Sequence, residues 1–178
     1  LYFTSLYSYL LFHSLVEMVS VVISGSIFVL AWNSRKIVDH PFFVVLGISY
    51  LFVGFLDILH TLAYAGMGVF PQAGANLPTQ LWIAARFLNS FSLLIALGFI
   101  KRKVYYPSVF SAYAIAVSFF LSTLFLCNLF PDCYLEGVGL TPFKKISEYV
   151  VSAIFIFTVP FLLKRRETFD SGVLRLLI

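Results

Sequence analysis

Two short segments carry histidine and carboxylate side chains at helical spacing. His13 and Glu17 are four residues apart, and Asp57 and His60 are three apart, with Tyr64 one turn further along. Residues three or four apart lie on the same face of an α-helix. Imidazole and carboxylate groups are ligands for Zn²⁺ and related divalent ions. These residues therefore predict a metal site or another small-ligand site.

A third segment adds Arg86 and Asn89, again three residues apart, as supporting groups. Two carboxylates and one guanidinium leave the cluster at a net charge of −1 when both imidazoles are neutral. A cation or one proton would balance that charge. Two histidines on neighbouring helices are also a ligand set for haem b, with the imidazoles on opposite faces of the ring. A proton relay and a purely structural network remain as further interpretations.

The elements that must position these groups are membrane helices. The 178 residues are 61% hydrophobic and only 11% charged, with a mean hydropathy of +0.97. Soluble domains are closer to half apolar and a quarter charged. The basic residues behind the net charge of +4 occur in short clusters between apolar runs, as in helix-flanking segments. The expected partner is the lipid bilayer, and nucleic acid is not expected.

Five segments are long and apolar enough to cross a bilayer, which takes about 20 residues per helix. The five predicted spans are residues 5–32, 42–66, 78–100, 108–130 and 146–163. The sequence thus predicts an all-α, polytopic transmembrane bundle with a single domain over residues 1–178. The apolar stretch at 171–178 predicts a further helix that is cut short.

The orientation follows from the distribution of Lys and Arg. The predicted loop after the first span and the one after the third are basic, as are residues 164–166, whereas residues 67–77 contain no Lys or Arg. Because basic loops stay in the cytoplasm, the N-terminus is predicted to lie outside. The rise per residue then places the histidines, the carboxylates and Arg86 about 9 to 18 Å below the outer surface. One shared cluster is expected there.

Weaker candidates lie near the outer ends of the last two spans. Glu136 and Glu148 could extend the cluster outward. Cys127 and Cys133 lie on the predicted outer side, where an oxidising compartment would permit a disulfide. The sequence contains no Walker loop, HExxH, Ser-His-Asp set or dinucleotide fingerprint, so catalysis has no specific support.

Five ordered motifs resemble MASE3, a bacterial membrane-associated sensor domain. They are FHSLVEMVS (12–20), AWNSRKIVDHPFF (31–43), LFVGFLDILHTLAYAGMGVFP (51–71), PTQLWIAARFLNS (78–90) and PDCYLEGVGLTPFKK (131–145). The polar residues that match the family pattern are His13, Glu17, Asp57, His60 and Arg86. Asn89 stands where an acidic residue often occurs, which leaves its role open.

The resemblance implies an N-terminal input module in the bacterial inner membrane. Members precede diguanylate cyclase or histidine kinase output domains, in cyclic di-GMP signalling or two-component systems, and generally have more helices than this chain. A cytoplasmic output domain in the same chain and a homodimer are therefore expected, without enzyme activity in this domain itself. The competing interpretation is a membrane metalloenzyme, in which the same residues hold a metal-activated water.

Overall fold

The fold is a helical bundle with one small β-hairpin. The computed structural model describes residues 2–37, 40–71, 74–100 and 102–164. The elements, in chain order, are α1 (Tyr2–Tyr7), α2 (Tyr9–Ser34), α3 (Pro41–Ala63), α4 (Asn76–Leu97), α5 (Tyr106–Leu121), β1 (Tyr134–Leu135), β2 (Gly139–Leu140) and α6 (Pro142–Lys164). Helices α2 to α6 are long and apolar enough to cross a membrane, α5 together with its extension to Leu126. The predicted all-α bundle with five spans is confirmed.

Helix α3 lies at the centre of the bundle. It packs against α2, α4 and α5, and α4 packs in turn against α6. Its side chains Phe42, Ile48 and Leu56 are fully buried, as are Leu81 and Ala84 of α4. Helix α2, in contrast, buries few of its side chains within the chain. Polar residues on α3 are therefore inside the bundle, whereas α2 is held mainly through its contact with α3.

Small residues allow α2 and α3 to approach closely. A Cβ placed on Gly47 of α3 would overlap the Cβ of Ala31, and one placed on Gly54 would lie 3.1 Å from the Cβ of Ser24. Small side chains at such crossings are typical of membrane helices, where close backbone packing replaces the hydrophobic effect. We refer to Ser24, Ala31, Gly47 and Gly54 as the small-residue seam.

Gly47→Ala is expected to destabilise the bundle by about 1 to 3 kcal/mol, because the added methyl group forces α2 and α3 apart. Gly25→Ala on α2 is the matched control, since nothing lies within 4 Å of a Cβ there. Both changes raise helix propensity by about 1 kcal/mol, so their difference reports the clash alone. The measurement is thermal unfolding of both variants in one detergent. Equal midpoints would contradict the close approach.

The first membrane-spanning helix, α2, begins later than predicted. The expected span 5–32 is divided at Ser8, whose backbone is extended and whose hydroxyl accepts a hydrogen bond from the Leu11 N–H. A serine in this role caps a helix because it satisfies an N–H group that has no partner within the helix. Helix α2 therefore starts at Tyr9, and His13 lies in its second turn.

The fourth span ends before the predicted position 130. Helix α5 continues as a π-helical turn from Ser122 to Leu126, in which the Cys127 N–H bonds the Ser122 carbonyl. Asn128 then has a φ of 48°, and the chain turns away from the helix. Pro131 follows and cannot donate a backbone hydrogen bond.

The connection to the last span contains structure that the sequence did not predict. Tyr134 pairs with Leu140, and Leu135 with Gly139, in a hairpin whose strands have two residues each. Gly137 in the turn and Gly139 in the second strand have φ values of 79° and 93°. Helix α6 begins at Pro142 rather than at the predicted 146, because proline suits the first turn of a helix. Residues 143–146 therefore belong to the helix and not to a loop.

Two amide side chains of α4 fix this hairpin over the end of the bundle. The Asn76 side-chain oxygen accepts hydrogen bonds from the N–H groups of Cys133 and Tyr134, at 2.8 and 3.0 Å. The Gln80 amide donates to the carbonyls of Phe130 and Pro131, both at 3.1 Å. These bonds join segments about 50 residues apart in sequence, and they bring the start of α6 beside α4.

Both cysteines are free thiols, so the disulfide that the sequence permitted is not formed. Cys127 is exposed just after the π-helical turn, whereas Cys133 is fully buried and its thiol donates to the Pro131 carbonyl. Burial raises the pKa of the Cys133 thiol to about 12. Cys133 is therefore held neutral and unreactive, since the thiolate is the reactive form. The apolar stretch at 171–178 lies outside the described residues.

Candidate metal and small-ligand site

Three of the four predicted ligands converge between α2 and α3. One ligand atom each from His13, Glu17 and His60 lies within 4.8 Å of the other two. The His60 Nε2 is 3.9 Å from the Glu17 Oε1, and the two imidazole centroids are 5.4 Å apart at an angle of 79°. Two helices thus direct two imidazoles and a carboxylate at one small volume.

The orientation of His60 is fixed by α4. Its Nδ1 lies 2.7 Å from the Pro78 carbonyl oxygen. Because a carbonyl only accepts, the Nδ1 carries the proton and donates it. In the neutral imidazole the Nε2 then presents a lone pair toward Glu17. Metal-binding histidines commonly donate their other N–H to a backbone carbonyl in this way.

His13 has a ligand atom without a protein partner. Its ring lies 3.9 Å from the Tyr64 ring centroid, at the end of α3, and 6.4 Å from that of Tyr9. The Nε2 is buried, and no described residue forms a hydrogen bond with it. Buried polar atoms are nearly always paired, so an orphaned nitrogen on a histidine that converges with Glu17 and His60 indicates a place for a bound ligand.

Asp57 differs from the sequence interpretation. It does not join the three converging ligands, because its Oδ1 accepts a hydrogen bond from the Arg86 Nη2 at 2.6 Å. The Asp57 side chain is only 2% exposed. Its position three residues before His60 turns it about 60° around α3, toward α4. The pair of Asp57 and Arg86 joins α3 to α4, and the ligand set is reduced from four residues to three.

The other sequence candidates lie around this group. Asn89 is half-buried, one turn along α4 from Arg86. Glu136 is exposed in the hairpin turn and is not one of the converging ligands. Glu148 is half-exposed and accepts a hydrogen bond from the Lys144 Nζ. Neither glutamate extends the ligand set.

A cavity of about 220 Å³ opens beside the three ligands and reveals residues that the sequence interpretation missed. The added lining residues are Thr79, Trp82, Leu140 and Lys144. The Lys144 Nζ lies 4.9 Å from the Trp82 ring centroid, and the Arg86 Cζ lies 5.8 Å from it. Lys144 could have been identified from its position at the predicted outer end of the last span. Basic residues are uncommon at that side of the membrane, so one that lies there is a candidate for a specific role.

The arrangement suits a divalent cation. With neutral imidazoles, Glu17 carries the uncompensated charge, because Asp57 pairs with Arg86 and Lys144 pairs with Glu148. Two histidines and one glutamate are the protein ligands of several zinc sites that keep a fourth position open. Here the three donors line a cavity that could admit a further ligand. The site therefore offers three donors and room for one further small group.

Fold and site together define a polytopic membrane protein with a cluster of two histidines and one glutamate between its first two spans. Residues 4–178 match the model of the MASE3 family, described as a membrane-associated sensor domain. The chain therefore belongs to the MASE3 family, and it is a membrane sensor domain. No curated protein and no solved structure matches it significantly.

Proposed function

We propose that this sensor domain binds a divalent metal ion, such as Zn²⁺, through His13, Glu17 and His60. The observation that carries the proposal is the convergence of their ligand atoms within 4.8 Å. The lone pair of the His60 Nε2 and the orphaned His13 Nε2 supply the donors that a metal requires. Signalling then passes to a cytoplasmic output domain of the same full-length chain, a diguanylate cyclase or a histidine kinase.

The geometry supports a metal ion over haem b. A haem must pass between its two imidazoles, whereas the rings of His13 and His60 meet edge to face with the Glu17 carboxylate in the same group. The neighbouring cavity of about 220 Å³ is also below the usual range for pockets that hold organic ligands of drug size.

The cavity size also supports a sensor over a metalloenzyme. A metal-activated water needs an open coordination position beside a substrate cleft. The space beside the three ligands has a volume of about 220 Å³, which is smaller than the clefts that usually hold organic substrates. Membership of a sensor family points the same way.

Metal binding changes how α2 is held against the bundle. His13 and Glu17 belong to α2, and His60 belongs to α3, so one ion ties the outer parts of the two helices together. The small-residue seam lies further along the same helix pair and acts as the pivot of α2. A switch requires two packings with different affinity for the ion. We infer that α2 moves relative to α3 and carries the signal to the cytoplasmic side, within a homodimer.

Purified protein should contain about one Zn²⁺ per chain after dialysis against the ion, and it should show no haem absorption. Elemental analysis and an absorption spectrum provide the measurement. His13→Ala should lose the ion, because one of three donors is removed. A haem spectrum in the purified protein, or equal zinc content in the variant, would contradict the proposal. Protons compete with the ion for imidazole, so the zinc content should fall in acid.

The proposed localisation is the bacterial inner membrane, with the N-terminus outside. A thiol reagent that cannot cross membranes is expected to label native Cys127 in spheroplasts, because Cys127 is exposed on the proposed outer side. Buried Cys133 should not contribute. Arg102→Cys in a Cys127→Ser background is the reciprocal control and should be labelled only after permeabilisation. Labelling of position 102 but not of Cys127 in sealed spheroplasts would reverse the topology.

A further inference from the structure

Lys144 is a cationic side chain that lines the cavity beside the proposed metal ligands. Its side chain is 12% exposed and lies over the Trp82 ring. The backbone N–H of Lys144 bonds the Thr141 hydroxyl, which fixes the first turn of α6. A lysine ammonium has three N–H groups, and Glu148 accepts from only one of them. The remaining donors are available to a bound group.

A bound divalent ion would reverse the sign of the site. The ion contributes +2 and Glu17 contributes −1, whereas the pairs of Asp57 with Arg86 and of Lys144 with Glu148 are each neutral. The loaded site would thus carry +1, and the cavity beside the three ligands could admit a further ligand. An anion bound there would restore neutrality in a membrane setting, where unbalanced charge is unfavourable.

We propose that the loaded site takes a small carboxylate as its fourth ligand, an inference that rests on the proposed metal function. One carboxylate oxygen binds the metal ion, and the other accepts a hydrogen bond from Lys144. Trp82 and Leu140 provide apolar walls for a short alkyl group, and the volume of about 220 Å³ favours a small ligand. The domain then senses a metal-bound short-chain carboxylate rather than the metal alone.

The test uses Co²⁺ as a visible probe in the purified chain. Acetate is titrated into the Co²⁺-loaded protein against chloride at constant ionic strength, and the absorption bands of the ion are followed. A saturable spectral change is expected for the unmodified protein. Lys144→Gln should weaken acetate binding about tenfold or more, the usual contribution of a hydrogen bond to a charged group. Lys144→Arg retains the charge and should retain most of the acetate affinity.

The change in Co²⁺ affinity caused by Lys144→Gln shows whether Lys144 binds the carboxylate or only stabilises the fold. Removing a nearby cation should leave Co²⁺ affinity unchanged or raise it, because Lys144 repels the ion and its loss frees the charge of Glu148. Lys145→Gln, on the exposed neighbour, is the matched control and should change neither affinity.

Each other outcome overturns one specific step. If the unmodified protein binds no Co²⁺, the proposed metal function itself is wrong. If Co²⁺ binds but acetate has no effect, or Lys144→Gln and Lys145→Gln bind acetate equally, the metal site stands and the carboxylate inference is wrong. If Lys144→Gln loses Co²⁺ as well as acetate, Lys144 is structural and the inference is also wrong.

Discussion

Arg86→Ala is expected to destabilise the bundle by about 3 to 5 kcal/mol, the usual effect of removing one partner from a buried ion pair. The Asp57 carboxylate would remain 2% exposed without its guanidinium partner. The measurement is the free energy of unfolding in detergent. Arg102→Ala is the matched control, because Arg102 is exposed and a surface change should stay within about 0.5 kcal/mol.

A double replacement tests the reason for that loss. Arg86→Met combined with Asp57→Leu removes both charges and should recover most of the lost stability, since apolar residues of similar size often replace buried pairs at little cost. A double variant as unstable as Arg86→Ala would show that the arginine stabilises the bundle through contacts other than Asp57.

His60→Ala is expected to weaken metal binding by more than about 100-fold, which exceeds the usual effect of changing groups outside the coordination shell. It should cost only about 1 to 2 kcal/mol of stability, because it removes a neutral side chain and its hydrogen bond to Pro78. Zinc titration and thermal unfolding of the same samples provide the two measurements.

His40→Ala is the matched control for this prediction. His40 precedes α3 at the end opposite His60, so its loss should leave zinc affinity unchanged. If His60→Ala binds zinc normally and loses as much stability as Arg86→Ala, the cluster is scaffolding and the proposed sensing site is wrong. The contrast between His60 and Arg86 therefore separates a ligand from a structural charge.

The pairing of α2 with α3 would make the proposed site sensitive to a bound ion. Helix α3 is held on several sides by α2, α4 and α5, whereas α2 is held mainly through α3. An ion that bridges His13 and His60 therefore acts on the less restrained of the two helices. The small-residue seam is the proposed pivot of this motion, and the ion would act on the part of α2 before Ser24, which carries His13 and Glu17.

The spans and the helix faces are local properties, and the sequence predicted them well. A bilayer requires about 20 apolar residues in each helix, and a lipid-exposed backbone must satisfy its hydrogen bonds within the helix. Five spans were therefore visible in the hydropathy of the chain. The spacing of His13 with Glu17 likewise placed both side chains on one face without knowledge of any partner helix.

The composition of the site was decided by tertiary structure. Asp57 and His60 share one side of α3, yet Asp57 binds Arg86 on α4, and only His60 meets the α2 residues. Spacing could not distinguish these two outcomes, because the rotation of α3 between α2 and α4 is set by packing between helices and not by the sequence of α3 alone.

The position of Lys144 could not be predicted from the sequence either, because it depends on residues far away in the chain. Its place beside the ligands depends on the hairpin, and the hairpin is held by Asn76 and Gln80 through hydrogen bonds to backbone about 50 residues further along the chain. Each of these bonds pairs a side chain with main-chain groups that carry no residue-specific pattern. The sequence by itself determined which helices form and which faces carry polar groups. Only the tertiary structure decided which of those groups meet, because long-range hydrogen bonds and helix rotation leave no periodic signal.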